Sequence, residues 1–201
     1  MQDVTVLTTC TNRKRYFVPS EMQASTLKEG TQDNIISQWL DRITKNTSKL
    51  YIASKVYCGR SFKEAILASY NASGGLWIIS AGLGLVSAKS EIPSYNLTIT
   101  SGSPDNIIKK IIGSKFEPSA WWEGINCNNQ NPISCLIKSN YEKLFVFAVS
   151  TNYMQLISQD LLTLPDSDLD RIRLIGLSLE KSLDGKLQKF VMPYDERLDG
   201  P

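Results

Sequence analysis

Three short apolar runs, each followed at once by a polar turn, constrain this chain more than any other feature. Asp3–Thr9 (DVTVLTT), Leu76–Ser80 (LWIIS) and Leu144–Val149 (LFVFAV) are rich in β-branched and aromatic residues. Continuous apolar runs of this length suit strands in the interior of a parallel sheet. Between them lie segments of helical period. Asn34–Thr44 spaces Ile35, Ile36, Leu40 and Ile43 along one face, and Met154–Leu162 is amphipathic. Ser61–Ala72 carries Ser61 and Glu64 in the spacing of a capping box, and Gly74-Gly75 ends it. Further helices are expected over Pro132–Ser139 and from Ser103 or Asp105 to about Ile112. Tyr95–Thr100, Arg171–Leu177 and Lys189–Met192 read as extended segments, and Ala81–Ser94 as a glycine-bearing loop. The alternation predicts an α/β fold: a single domain over residues 1–201 with a mostly parallel central sheet flanked by helices. A chain of 201 residues is long enough to bury such a core without a disulfide or metal staple.

The functional classes are narrowed by what the composition lacks. The sequence contains no histidine, which removes Ser-His-Asp and Cys-His catalysis and histidine-ligated metals. Acid–base chemistry must come from Asp, Glu, Lys, Tyr, Cys or positioned water. Cys10, Cys58, Cys127 and Cys135 form no C-x-x-C pair, so they read as buried or half-buried free thiols. No metal and no cofactor is expected. The first apolar run has no basic stretch before it, and no run approaches the roughly 20 residues that span a bilayer, so the expected location is the cytoplasm, without membrane contact. Net charge is +2 but uneven: residues 1–60 carry nine Lys/Arg against five Asp/Glu, and residues 160–201 carry six against nine. The basic half is either a phosphate-contacting surface or ordinary solvated surface.

Ligands of open α/β sheets gather at the carboxyl ends of the strands. Three polar segments occupy such positions: Cys10-Thr11-Asn12-Arg13-Lys14, Ser80-Ala81-Gly82-Leu83-Gly84-Leu85 and Ser150-Thr151-Asn152-Tyr153. Arg13, Lys14, Arg15 and Arg60 can supply charge-assisted bonds to phosphate. The glycine segment either lets backbone amides approach a ligand or simply turns the chain; it is neither a dinucleotide fingerprint nor a P-loop. Glu91 to Thr98 offers a carboxylate, a phenol and an amide in a short span. There Glu91 either positions water or faces solvent, and Tyr95 either stacks on a base or packs half-buried. Trp121-Trp122 is a base-stacking platform or a packing pair. Asp195 and Glu196 are acidic candidates near the end of the chain.

Taken together, these segments resemble the YaaA-like family of small bacterial and phage proteins. That family's pattern is a strand ending in C-[ST]-x-x-K, then V-Y-x-G-R-[SAW]-[FW]-x-x-A, then S-A-G-x-G-L-[IV], then I-x-S-Y-[DE]-x-T. The corresponding residues here are Cys10–Lys14, Val56–Ala65, Ser80–Val86 and Ile92–Thr98, with Ser150–Tyr153 resembling a small-residue–Tyr turn. One position departs: Asn96 stands where the family usually carries an acid. The resemblance implies a nucleic-acid or nucleotide ligand, and DNA, including phage DNA with modified bases, as the partner. The expected activity is that of a DNA glycosylase-like N-glycosidase excising a modified base, such as a glucosylated or otherwise hypermodified cytosine, in antiphage defence. The alternatives are a nucleotide- or tRNA-directed base-exchange enzyme and a non-catalytic DNA-binding protein. Glycosidic cleavage passes through an oxocarbenium-like sugar and requires neither metal nor histidine. The expected catalytic residues are Glu91, Asn96 and Asn12. The expected substrate-binding residues are Cys10, Thr11, Arg13, Lys14, Arg60, Ser80, Gly82, Leu83, Gly84, Tyr95, Ser150 and Tyr153. An enzyme of this kind predicts a pocket uniting Cys10, Ser80, Tyr95 and Tyr153.

Overall fold

The structure is a computed structural model that describes residues 3–72, 75–127 and 132–192. In chain order, β1 (Val4–Thr9) leads through two 3-10 turns to α1 (Gln32–Thr44), β2 (Leu50–Ile52), α2 (Ala53–Val56) and α3 (Arg60–Asn71). β3 (Leu76–Ser80), β4 (Gly84–Ser87) and β5 (Glu91–Pro93) follow, then α4 (Pro118–Ile125), α5 (Pro132–Lys138) and β6 (Leu144–Ala148). α6 (Thr151–Leu162), α7 (Asp166–Leu169), β7 (Ile172–Ile175) and α8 (Gly185–Gln188) are the last elements among the described residues. The three apolar runs lie side by side in one five-stranded sheet of order β4-β3-β1-β6-β7. β1, β3, β6 and β7 are parallel, and β4 is an antiparallel edge. The α/β class and the mostly parallel sheet are as the sequence predicts. Among the described residues, no helix is long and apolar enough to cross a membrane.

Several expected boundaries move. α1 starts at Gln32, where the Thr31 side chain accepts from Asn34 N. Ser61 does not cap α3: Gly59, with φ +130°, precedes its first residue Arg60, and Glu64 ion-pairs with Arg60 instead. The helix expected to reach Ile112 is only a 3-10 turn over Ile107–Lys110, capped by the Asn106 side chain. Its continuation is lost because Lys110 and Ile112 pair with the backbone of Gly30. Tyr95–Thr100 is held by isolated bridges, Asn96 to Gln23 and Thr98 to Asn106, and joins no sheet. The loop expected over Ala81–Ser94 contains β4 and β5. Of Lys189–Met192, only Val191 bridges, to Leu174. Gly74, Asp195 and Glu196 lie outside the described residues.

The sheet faces explain where the molecule opens. Parallel pairing puts Leu7, Phe147 and Leu174 in one row, and Thr8, Ala148 and Ile175 in the next, facing the other way. The first row is fully buried; α6, packed on α4 and α5, belongs to the helical layer of the protein. On the face of Thr8 and Ala148, α3 covers β1 and β3. Val146, Ala148 and Ile175 are only half-buried. The apolar run LFVFAV thus predicts burial on both faces, whereas the structure leaves one face of β6 and β7 partly open.

Candidate functional site

Strand order reverses between β1 and β6, so the crevice at their carboxyl ends is the expected ligand position. Two cavities lie there. The smaller, of about 60 Å³, is lined by Asn12, Lys14, Asn96, Leu97, Thr98, Ser103 and Asp105. The larger is a groove of about 790 Å³, floored by Thr8, Val146, Ala148 and Ile175 and rimmed by Ser150 and Asn152. The small pocket has room for only a few water-sized groups, whereas the groove has the size of a ligand site. Thr98 lines the first and Thr100 the second, so one short segment borders both.

Long-range backbone pairing assembles the small pocket. Arg15 N donates to Val56 O and Cys58 N to Arg13 O, which binds the basic loop to the Val56–Cys58 segment. Asn96 N donates to Met22 O, and Thr98 N to Asp105 O. Asp105 is buried, its Oδ1 accepting from Ser25 N at 2.9 Å. The amine of Lys14 turns inward, donating to the Thr11 carbonyl at 2.5 Å. It lies 4.9 Å from the ring centre of Tyr95 and 5.2 Å from that of Tyr57, in reach of both π faces. Burial lowers the pKa of this amine, opposed by the negative potential of Cys10, Cys58 and Asp105.

Beneath the pocket runs a buried hydroxyl network. The Tyr95 phenol lies 2.5 Å from Ser80 Oγ and 2.8 Å from the Tyr57 phenol. Cys10 Sγ lies 3.1 Å from the Tyr153 phenol. Burial, reinforced by Cys10, raises the pKa of all three phenols, so they stay protonated as hydrogen-bonding groups.

This arrangement corrects several expectations. Cys10, Ser80, Tyr95 and Tyr153 do not unite around an open pocket; they are interior, paired through side-chain hydrogen bonds. Tyr95 is 0% exposed and has no face to stack on a base. The glycine segment is a packed turn. Ser80 Oγ accepts from Gly82 N and Leu83 N, while the Trp39 and Trp121 indoles donate to the carbonyls of Gly82 and Ala81. A Cβ on Gly82 would meet the Tyr95 ring at 2.7 Å, which requires glycine for packing, not for ligand approach. Trp121 and Trp122 are buried, with Trp122 Nε1 donating to Asp160, so they are core and no stacking platform. Thr11 is engaged internally, its hydroxyl donating to Arg13 O and accepting from Cys58 N. Glu91 is exposed on β5, paired across from Ile52, and lines neither cavity.

Other expectations meet. Asn12 and Asn96, predicted from distant segments, line the same pocket as Lys14. Arg13 and Arg60 are exposed, and Ser150 stands on the groove at the start of α6. Sequence reasoning did not single out Thr98, Ser103 or Asp105 as pocket residues; Asp105 was visible only as a helix-cap candidate. All four cysteines are free, but Cys127 and Cys135 are exposed, not buried. Among the described residues, no three His, Cys, Asp or Glu side chains cluster as metal ligands.

The packed turn makes a direct prediction. Gly84 has φ +70°, and a Cβ there would strike the Asn126 carboxamide, whose Oδ1 holds Leu85 N. Gly84→Ala should destabilise the fold by about 2–4 kcal/mol, the sum of left-handed strain and overpacking. Urea unfolding measures this, and an unchanged midpoint would contradict the packing described.

Comparison of the chain with family models, with curated proteins and with solved structures gives no match.

Proposed function

We propose that this protein is an N-glycosidase that releases a base, one carrying a bulky modification, from DNA. The observation that carries the reading is the small pocket. Two carboxamides, Asn12 and Asn96, meet a carboxylate, Asp105, and an amine, Lys14, in a chain without histidine. Cleaving an N-glycosidic bond develops positive charge on the sugar, which a carboxylate and amide oxygens stabilise. The groove next to the pocket supplies room for the rest of the nucleotide. A base must leave the helical stack to be cleaved, and the half-buried apolar strip of Val146, Ala148 and Ile175 offers it an apolar floor. The resemblance of four ordered segments to the YaaA-like family points to the same ligand class.

Incubation with unmodified DNA and with phage DNA bearing modified bases tests the proposal. Abasic sites and free base should appear in the modified DNA. DNA binding without base release from any sample would overturn glycosidase activity and leave a binding protein. Phosphate contact adds a second expected result. If about four phosphates are neutralised, log affinity should fall against log salt with a slope near −3.6. Arg13→Ala should flatten that slope by about one unit, because Arg13 is exposed. Lys14→Ala should change it less, since that amine is held by the Thr11 carbonyl and the Tyr57 and Tyr95 rings. A salt-independent affinity would remove this surface from the DNA path.

A further inference from the structure

We propose that the Lys14 amine is the nucleophile of this site, attacking C1′ of the deoxyribose so that base release passes through an imine joining the chain to the sugar. The inference rests on the glycosidase reading and adds the attacking group to it. Lys14 lines the small pocket together with Asn12, Asn96 and Asp105. Its amine is held by a carbonyl oxygen and two aromatic faces. Among the described residues, no carboxylate lies within ion-pair distance of it. Lys14 is half-buried, and a partly desolvated amine without a counter-ion is costly to the fold. Such an amine is also reactive, because burial favours the neutral form that carries a free lone pair.

The step balances without oxidant, reductant or metal. The amine lone pair forms a bond to C1′ while the C1′–N bond to the base breaks, its electron pair leaving with the base. The nitrogen then gives up one proton and the departing base gains one; Asp105 is the carboxylate of the pocket that can relay it. Next the C1′–O4′ bond breaks as the nitrogen lone pair closes C=N, and the second amine proton passes to O4′. Water added across the imine regenerates the amine and leaves the sugar as an open aldehyde.

The test uses the full chain and an oligonucleotide containing an abasic site, which presents the C1′ aldehyde directly. Sodium borohydride reduces an imine to a stable secondary amine, so a cross-linked species should appear on a denaturing gel. Peptide mapping by mass spectrometry of the wild-type adduct should place it on Lys14. Lys14→Arg should reduce trapping at least about tenfold, while Lys55→Arg, at an exposed position, should trap like the native chain. An adduct spread over exposed lysines with none at Lys14 would overturn the inference, and the mapping does so without relying on any variant folding. The two readings fail separately. Base release from modified DNA without a Lys14 adduct overturns the nucleophile and leaves the glycosidase. A Lys14 adduct without base release from any DNA overturns the glycosidase and leaves the reactive amine.

Discussion

Asp160→Ala should lower the unfolding free energy by about 3–5 kcal/mol, a larger loss than that expected of Gly84→Ala. Asp160 is 2% exposed on α6, yet it carries the start of α5. Its Oδ2 accepts from Ile133 N at 3.0 Å and from Trp122 Nε1 at 3.1 Å, and its Oδ1 accepts from Ser134 N at 3.0 Å. The Ser134 hydroxyl lies 2.5 Å from the same Oδ1. The first backbone N–H groups of a helix have no partner within it, and Asp160 supplies one from across the core. Removing the carboxylate leaves the Ile133 and Ser134 N–H groups and the Trp122 indole N–H buried and unpaired, each at a cost of about 1–3 kcal/mol before relaxation, while the Ser134 hydroxyl keeps the Asp160 carbonyl and Thr163. For a chain of this size the loss corresponds to roughly 6–20 °C in Tm, readable by calorimetry. Asp160→Asn, which keeps one carbonyl oxygen, should lose distinctly less. A native melting temperature in Asp160→Ala would show that water replaces the carboxylate and that α5 does not depend on it.

Asn12→Ala and Asn96→Ala should each lower base release by about a hundredfold, roughly 2.7 kcal/mol of barrier. Both amides line the pocket where sugar charge would develop, and neither belongs to the hydrophobic core. DNA affinity and melting temperature should stay close to native. Glu91→Gln should leave the rate unchanged, because that carboxylate is exposed on β5 and away from both cavities. Tyr95→Phe should act through stability, since its hydroxyl bonds only interior groups, Ser80 and Tyr57. Native rates in both asparagine variants would remove this pocket from the chemistry. A hundredfold loss in Glu91→Gln would place the reacting centre elsewhere.

Much of the fold was legible in the residue pattern. β1, β3 and β6 are apolar runs whose pairing satisfies the backbone in the interior, so their positions follow from local composition. α1 and α6 follow from apolar residues at helical spacing, although each begins earlier than its apolar stripe, at Gln32 and Thr151. The short elements were less legible. The 3-10 turn at Ile107 and the bridge at Val191 are settled by distant backbone partners, Gly30 and Leu174, that no local window contains.

The candidate site divides along the same line. Sequence alone placed polar segments after β1, β3 and β6, and named Asn12, Lys14 and Asn96. Only the tertiary structure decided which of them face a cavity. The segment after β3 is closed by the Trp39 and Trp121 indoles and by Asn126, which come from other elements. Asp105 reached the pocket through pairing of Thr98 with Asp105 and Asn106, and Glu91 was carried away from it by pairing of β5 with β2. The physical reason is that residue type sets what a side chain can do, whereas burial and partners are set by chain segments far away in sequence. A hydroxyl such as that of Tyr95 is a ligand group if its face is open and a structural strut if, as in this fold, Ser80 and Tyr57 already hold it.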